Sequence, residues 1–255
     1  MLEIRNVTKS YGRLRAVNDV SFTVRPHKVC GYLGPNGSGK STTIKMITGM
    51  LEPSTGTVFY KGQDIREDLI AYKSLLGYVP EEPHLYSYLT GAEYLQLVGD
   101  LRRLPSDVLE RKIGGMLRLF SLDDYKYAPI SSYSKGVKQK ILISAALLHN
   151  PEILILDEPI SGLDITAGLV FRELVTRLAG EGKIILCSSH ELSLVENVCS
   201  EVVILHRGRV VARGSIEELR HLRNQSSLEA VFSDLVASDN IENVAREMLE
   251  LVMDA

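Results

Sequence analysis

Residues 34–41 form a glycine-rich segment that reads Gly34-Pro35-Asn36-Gly37-Ser38-Gly39-Lys40-Ser41. The apolar run Val29 to Leu33 precedes it, and residues 40–48 have helical character that ends at Gly49. A strand, a glycine-rich loop and a helix in this order place backbone N–H groups and the positive end of the helix around a β-phosphate. Lys40 then reaches the β- and γ-phosphates, and the Ser41 hydroxyl ligates Mg²⁺. The pattern predicts a loop that binds ATP through Gly34, Pro35, Asn36, Gly37, Ser38, Gly39, Lys40, Ser41 and Thr42.

A second candidate site follows the apolar run Ile153 to Leu156, whose composition is typical of a central parallel strand. Asp157 and Glu158 come directly after this run, at the strand end where open α/β sheets bind ligands. Asp157 is a candidate for holding Mg²⁺, and Glu158 for polarising the water that attacks the γ-phosphate. The alternative is two solvated acids that begin a loop before Pro159, and the phosphate-loop pattern argues against it.

The composition narrows the class of protein. The chain has 255 residues, of which 45% are hydrophobic and 24% charged, as is usual for a folded globular protein. The net charge of −3 argues against a nucleic-acid partner, because phosphate binding requires an excess of Lys and Arg. Cys30, Cys187 and Cys199 are few and far apart, which predicts reduced, buried thiols in a cytosolic protein.

The sequence contains no candidate membrane segment. No apolar run approaches the ~18 uninterrupted residues that a membrane helix needs, and the N-terminus lacks the apolar core of a signal peptide. We therefore expect any membrane role to come through a partner.

The remaining patterns predict a mixed α/β fold. The N-terminal segment alternates apolar and polar residues with a period of two, which favours antiparallel strands. Residues from about 82 to 150 look mainly helical, with a capping box at Thr90. Ile184 to Cys187 is a second buried strand, and Arg207-Gly208 is typical of a hairpin turn. Amphipathic helices follow a second capping box at Ser215.

Further motifs occur in an order that resembles the ATP-binding cassette (ABC) family. Residues 134–139, Ser134-Lys135-Gly136-Val137-Lys138-Gln139, resemble the signature motif of that family. Residues 161–164, Ser161-Gly162-Leu163-Asp164, resemble the segment of that family called the D-loop. His190 resembles the switch histidine, and Tyr11 is similar to the aromatic residue that the family places against adenine. The resemblance covers roughly residues 1–220.

This resemblance implies an α/β fold and a domain organisation. Residues 1–220 are expected to form an ABC ATPase domain: a P-loop NTPase core with a mainly parallel sheet, an N-terminal antiparallel β subdomain and a helical insertion at about 82–150. Residues 221–255 are expected to form a C-terminal helical tail.

The resemblance also implies a dimeric site. In the family, the signature meets the γ-phosphate of ATP held by a second subunit, which implies a head-to-tail dimer with two ATP molecules between the subunits. The start of a helix supplies a hydroxyl, N–H groups and a positive dipole end for this contact. The implied groups are a signature set (Ser134, Lys135 and Gly136), the D-loop residue Asp164, a catalytic set (Lys40, Glu81, Glu158 and His190) and Mg²⁺ ligands (Ser41, Glu81 and Asp157).

Several of these residues have simpler interpretations. Ser134 is also expected to be an ordinary N-cap. A lone histidine such as His190 is more often structural, although its place one strand after Glu158 favours contact with the γ-phosphate and with that carboxylate. Tyr11 stacks on the base or only fills the core or surface.

Two residues depart from the family pattern. Glu81 stands where the family usually has glutamine, so it adds a negative charge beside the γ-phosphate while remaining able to ligate Mg²⁺. Lys135 replaces the first of two signature glycines. Its ammonium either favours the opposing γ-phosphate or is solvated.

The resemblance implies the ATPase subunit of an ABC transporter, at the inner face of the cell membrane through integral membrane subunits on other chains. Pro80 to Thr90 is either the surface that receives those subunits or an ordinary connector. Glu81, Lys135 and residues 227–232 look most like the drug- and lipid-exporting branch. The alternatives are a soluble ABC ATPase of DNA repair or translation and a non-catalytic regulatory subunit. Long coiled coils or a second cassette would favour the former, and the complete catalytic set opposes the latter.

Overall fold

The structure is a computed structural model that describes residues 1–223, 225, 227–236 and 241–253. Its elements follow the order expected for a mixed α/β protein. The strands are β1 (Leu2–Tyr11), β2 (Leu14–Val24), β3 (Lys28–Leu33), β4 (Thr55–Tyr60), β5 (Gln63–Asp64), β6 (Leu76–Val79), β7 (Ile153–Asp157), β8 (Ile184–Ser188), β9 (Glu201–His206) and β10 (Arg209–Ser215). The helices are α1 (Lys40–Ile47), α2 (Leu69–Ser74), α3 (Gly91–Leu101), α4 (Ser106–Leu119), α5 (Lys135–Leu147), α6 (Ile165–Gly180), α7 (Leu192–Val198), α8 (Ile216–Leu222), α9 (Leu228–Val236) and α10 (Ile241–Met253).

Two sheets form the core of the described chain. The smaller has the order β2-β1-β4-β5 and is antiparallel. The larger has the order β10-β9-β3-β8-β7-β6, and its strands are parallel except for the β9–β10 hairpin. Both the N-terminal antiparallel sheet and the mainly parallel core predicted from the sequence are confirmed.

Strand β7, which lies between β6 and β8, separates two hydrophobic clusters because successive side chains point to opposite faces of a sheet. Ile153 and Ile155 belong to the cluster between the two sheets. Leu154 and Leu156 belong to the cluster beneath the helical insertion. All four side chains are buried, as the continuous apolar run predicts.

The capping boxes predicted at two helix starts are confirmed. At α3, Glu93 N donates to Thr90 Oγ1 at 3.2 Å while Thr90 N donates to Glu93 Oε2 at 2.8 Å. Ser215 and Glu218 make the same reciprocal pair at the start of α8. These caps satisfy N–H groups that have no partner inside the helix.

The helical insertion is shorter than its predicted range. Its first helix begins at Gly91, and residues 80–90 contain no helix or strand. Pro83 disfavours a helical conformation in the residue before it, and the cap at Thr90 fixes the helix start. Its last helix ends at Leu147.

The C-terminal helices differ in their packing. Leu228 and Val231 of α9 are fully buried in the cluster beneath the helical insertion, and Phe232 packs against that cluster. The part of α10 whose side chains are described is exposed. Among the described residues, no helix has the length and apolar character needed to cross a membrane.

Candidate nucleotide-binding site

The loop at residues 34–41 has glycine at two positions, 34 and 39, where the surrounding backbone leaves no space for a side chain. A Cβ on Gly34 would lie 2.3 Å from Leu205 O, and one on Gly39 would lie 2.5 Å from Ala16 O. Gly39 also has φ 106°, a left-handed conformation that L side chains rarely adopt. The β9–β10 turn holds the loop from behind, since Gly208 N donates to Ser38 O at 2.9 Å. Packing therefore requires glycine at positions 34 and 39, in addition to any requirement of ligand approach.

Two features of this loop fit a phosphate ligand. α1 begins at Lys40 without a side-chain cap and without an acid in its first turn, which leaves its N–H groups available for an anion. The Ser38 hydroxyl is buried and lacks a hydrogen-bond partner among the described residues. Buried polar groups are rarely left without a partner unless a ligand or water completes them.

Lys40 lies over the loop that precedes it. Its Nζ donates to Gly34 O at 2.7 Å and to Pro35 O at 3.2 Å. Burial lowers the pKa of Lys40, and the negative charges of Glu158, Asp157 and Glu81 act in the opposite direction. The predicted cation and the three predicted carboxylates therefore share one electrostatic environment.

Asp157 ends β7 as a buried carboxylate. It accepts a short hydrogen bond from Ser188 Oγ at the end of the neighbouring strand β8. Burial raises the pKa of Asp157, and the charges of Glu81 and Glu158 add to this effect. Crowded carboxylate oxygens of this kind suit a hard dication, which would relieve their mutual repulsion.

The oxygen donors near Lys40 fit Mg²⁺, which takes only a few protein ligands, better than they fit a metal ion that is held entirely by protein side chains. Within the ranges that the structure describes, no group of three His, Cys, Asp or Glu side chains could hold an ion by itself. Mg²⁺ in nucleotide enzymes uses one or two carboxylates and completes its shell with phosphates and water. Asp157, Ser41 and Glu81 offer donors of this type, while Glu81 is solvent-exposed after β6.

Glu158 is held in a strained conformation. Its backbone has φ 49°, in the left-handed region that is uncommon for residues other than glycine. Its side chain is 8% exposed and accepts from Ser189 Oγ at 3.4 Å. His190 Nδ1 lies 2.8 Å from Glu158 Oε1, yet the His190 side chain is 73% exposed. The carboxylate is therefore fixed between the ends of β7 and β8, and the imidazole Nε2 remains for a ligand.

Tyr11 lies apart from this cluster of charges, at the end of β1. It is half exposed, and Lys9 Nζ lies 5.6 Å from the centre of its ring. The core-filling interpretation is excluded by this exposure. Stacking on the base stays a prediction.

The signature segment forms the start of α5. Ser134 Oγ accepts from Val137 N at 3.3 Å, so its predicted N-cap role is confirmed. Asp164 is likewise an N-cap, because its Oδ1 accepts from Ala167 N at 2.8 Å at the start of α6. Lys135 is exposed but bonded: its Nζ donates to Ser161 Oγ at 2.7 Å. Neither sequence interpretation of Lys135 anticipates this contact.

Three supporting residues were missed by the sequence analysis. Ser188 and Ser189 orient the two acids, and their position at the end of the run Ile184 to Cys187 repeats the pattern of Asp157 and Glu158. Lys140 Nζ lies 3.0 Å from Asp164 Oδ2. No local signal marks Lys140, because its partner is distant in sequence.

Residues 17–161 match the family described as ABC transporter. Over 242 residues, the chain is 35% identical to the ABC-type transporter ATP-binding protein EcsA of Bacillus subtilis (strain 168), which covers 94% of this chain and 98% of that protein.

Two solved structures are similar. One is described as the ATP-binding subunit of an ABC transporter, at 34% identity and a TM-score of 0.87, over 92% of this chain and 99% of that one. The other is a dimer of the ATP-binding cassette MJ0796 in a post-hydrolysis state with ADP and Pi. It matches 84% of this chain and 98% of its own at a TM-score of 0.78, and at 23% identity it shows the shared fold alone.

Proposed function

This chain belongs to the ATP-binding proteins of ABC transporters, and we propose that it hydrolyses ATP to drive export through membrane subunits on separate chains. The observation that carries the ATPase proposal is the convergence of Lys40, Asp157, Glu158 and His190 at the carboxyl ends of parallel strands. Ligands of open α/β sheets bind at these ends.

Each residue has a task that its position supports. Lys40 replaces its hydrogen bonds to the loop carbonyls with hydrogen bonds to phosphate oxygens, and its positive charge neutralises the negative charge on the transferred group. Asp157, Ser41 and Glu81 would hold Mg²⁺, which would supply positive charge to stabilise the negative charge that develops on the phosphates. Glu158 orients the attacking water, while His190 keeps the carboxylate in place through Nδ1 and presents its other nitrogen, Nε2, to the γ-phosphate.

The second half of each site belongs to another subunit. Ser134, Lys135 and Gly136 begin α5, whose N–H groups and dipole favour an anion. Ser134 and Lys135 are exposed, as an interface with a second copy requires. A dimer occurs in the cassette MJ0796, which shares this fold. We place Asp164 at the same interface and the ring of Tyr11 against the adenine.

Export is the finer part of the proposal. It rests on Glu81, on Lys135 and on residues 227–232, which look like the exporting branch of the family. The protein would then lie at the inner face of the membrane, held by its membrane subunits through residues 80–90. That segment exposes Tyr86 and Tyr88, which are 54% and 75% exposed.

Purification from the native membrane tests the transporter proposal. We expect a polytopic membrane protein to accompany the chain, and inside-out vesicles carrying the pair to accumulate substrate only with ATP. Recovery with ribosomes or nucleic acid instead would support the soluble-ATPase alternative and contradict transport. Hydrolysis that continues at full rate in EDTA would contradict the Mg²⁺ assignment.

A further inference from the structure

The side chain of Lys135 lies along the D-loop of its own chain. In addition to the bond from Nζ to Ser161 Oγ at 2.7 Å, its stem packs on Gly162. A Cβ added to Gly162 would lie 3.1 Å from Lys135 Cγ and 3.3 Å from Cδ. The lysine thus contacts two successive residues of a loop that begins three positions after Glu158.

Other contacts join the same two segments. A Cβ on Gly136 would lie 2.3 Å from Gly162 O, so the backbones of α5 and the D-loop touch. Gln139 Nε2 is buried and donates to Pro159 O at 3.0 Å. Lys140 Nζ pairs with Asp164 Oδ2 at 3.0 Å. The start of α5 and residues 159–164 therefore form one packed block.

The bond from Lys135 is the most replaceable contact in this block. Its acceptor is a neutral hydroxyl, its donor is an exposed ammonium, and such surface bonds contribute little to stability. A phosphate oxygen is a stronger acceptor for an ammonium, because the bond is then charge-assisted on both sides. An anion that approaches the start of α5 would compete with Ser161 for Lys135.

We infer that Lys135 transfers the hydrogen bond of its ammonium from Ser161 to the γ-phosphate of ATP bound to a second subunit. The loss of the bond to Ser161 releases the D-loop of its own chain, so Lys135 acts as a positioning residue for that loop. The inference rests on the dimeric site proposed above. Because residues 159–164 directly follow Glu158, occupation of one site would alter the constraint on the catalytic carboxylate of the other. Lys135 would thus connect the two ATP sites of the dimer.

A double-mutant cycle tests this exchange. The dissociation constant of the ATP-dependent dimer is measured in a Glu158→Gln chain, in which ATP is expected to persist. Ser161→Ala removes the competing acceptor, so the dimer should tighten by roughly two- to tenfold, the equivalent of one hydrogen bond. Lys135→Met should weaken the dimer, and Ser161→Ala should then have no effect.

Two further variants separate exchange from a fixed structural role. Lys135→Arg keeps a donor and a positive charge, so Ser161→Ala should again tighten its dimer. Lys138→Met removes the same charge one helical turn along α5 and should leave the effect of Ser161→Ala intact. ATP affinity of the separate chains, set by residues 34–42, checks that each variant is folded.

The outcomes distinguish the inference from the proposed function. A dimer that forms with ATP but weakens or stays unchanged with Ser161→Ala would show a permanent tether and overturn the exchange, while the dimeric ATPase stands. The absence of any ATP-dependent dimer in the Glu158→Gln chain would overturn both.

Discussion

The helices α1 and α5 both begin at segments proposed to bind phosphate, yet the start of α1 is enclosed by its own chain and the start of α5 is exposed. The start of α1 is enclosed: Gly34 and Gly39 are wedged against backbone carbonyls, and Ser38 is buried. The start of α5 is exposed, and Ser134 caps its own helix. The first segment is shaped by its own chain before any ligand arrives.

This difference predicts that the start of α1 determines ATP binding and that the start of α5 determines ATP hydrolysis. A loop with glycine turns, free N–H groups and Lys40 can hold a triphosphate within one chain. A capped helix start with one lysine bonded to its own D-loop offers an anion site that needs a phosphate brought by another subunit. Changes at α1 should therefore impair ATP binding, whereas changes at α5 should impair hydrolysis while the separate chain still binds ATP.

The largest expected effect comes from Glu158→Gln, which preserves both helix starts and removes the chemical step. Glutamine still accepts from His190, but it is a poor base, so kcat should fall by about 10³-fold. ATP should then hold two chains together, and size-exclusion chromatography with ATP should reveal a dimer. Hydrolysis at the parent rate would show that Glu158 does not activate the water.

Ser134→Asp tests the start of α5 while preserving the helix, because aspartate is as good an N-cap as serine. Its negative charge should repel the γ-phosphate and lower kcat by about 10²-fold. ATP affinity of the separate chain, measured by calorimetry, should not change. Ser134→Asn is the matched neutral cap and should retain most activity; an equal loss in both variants would contradict the charge argument.

Mixing two inactive variants sharpens this result. In a two-fold dimer of one Lys40→Met chain and one Ser134→Asp chain, one site carries both defects and the other carries neither. Activity should therefore reappear on mixing, although each variant alone is inactive. A mixture that stays inactive would indicate that each chain completes its own site or that both sites must be intact.

Gly136→Ala should have a smaller effect. The added Cβ would lie 2.3 Å from Gly162 O, so the D-loop must move away from α5. We expect kcat to fall by about tenfold, because displacement of a catalytic segment by a fraction of an ångström is costly. Gly115→Ala in α4 is the control, since a Cβ there meets nothing within 4 Å. A Gly136→Ala protein as active as the control would contradict the close packing.

The smallest effect is expected at Tyr11, outside both helix starts. Tyr11→Ala should weaken ATP binding by about fivefold, the lower end for loss of base stacking, and leave kcat nearly unchanged. Tyr11→Phe keeps the ring and should bind as the parent does. Tyr127→Ala, at a tyrosine that is 85% exposed, is the surface control. Equal affinities in all these proteins would return Tyr11 to the role of surface residue.

Features that depend on neighbours in sequence could be predicted well. The glycine spacing of the loop, the acids after Leu156 and the capping boxes at Thr90 and Ser215 each follow from local backbone requirements. The burial of strands β7 and β8 on both faces follows from their continuous apolar runs.

Features that depend on contacts between segments distant in sequence could not be predicted. Lys135 and Ser161 are 26 positions apart, and Gln139 and Pro159 are 20 apart. Only the packing of α5 on the loop after β7 brings them together. The helical character predicted from about residue 82 begins only at Gly91, directly after the cap that the sequence itself predicts at Thr90, and residues 80–90 are the irregular connector that was one of their two interpretations.

The conformation of Glu158 has a consequence for laboratory evolution. A left-handed backbone costs an ordinary residue about 1–2 kcal/mol, whereas glycine adopts it freely. Replacement of Glu158 by glycine would therefore relieve strain while deleting the proposed base. A screen that rewards heat resistance alone should accumulate inactive proteins altered at this position, so thermostable libraries of this chain need a simultaneous selection for turnover.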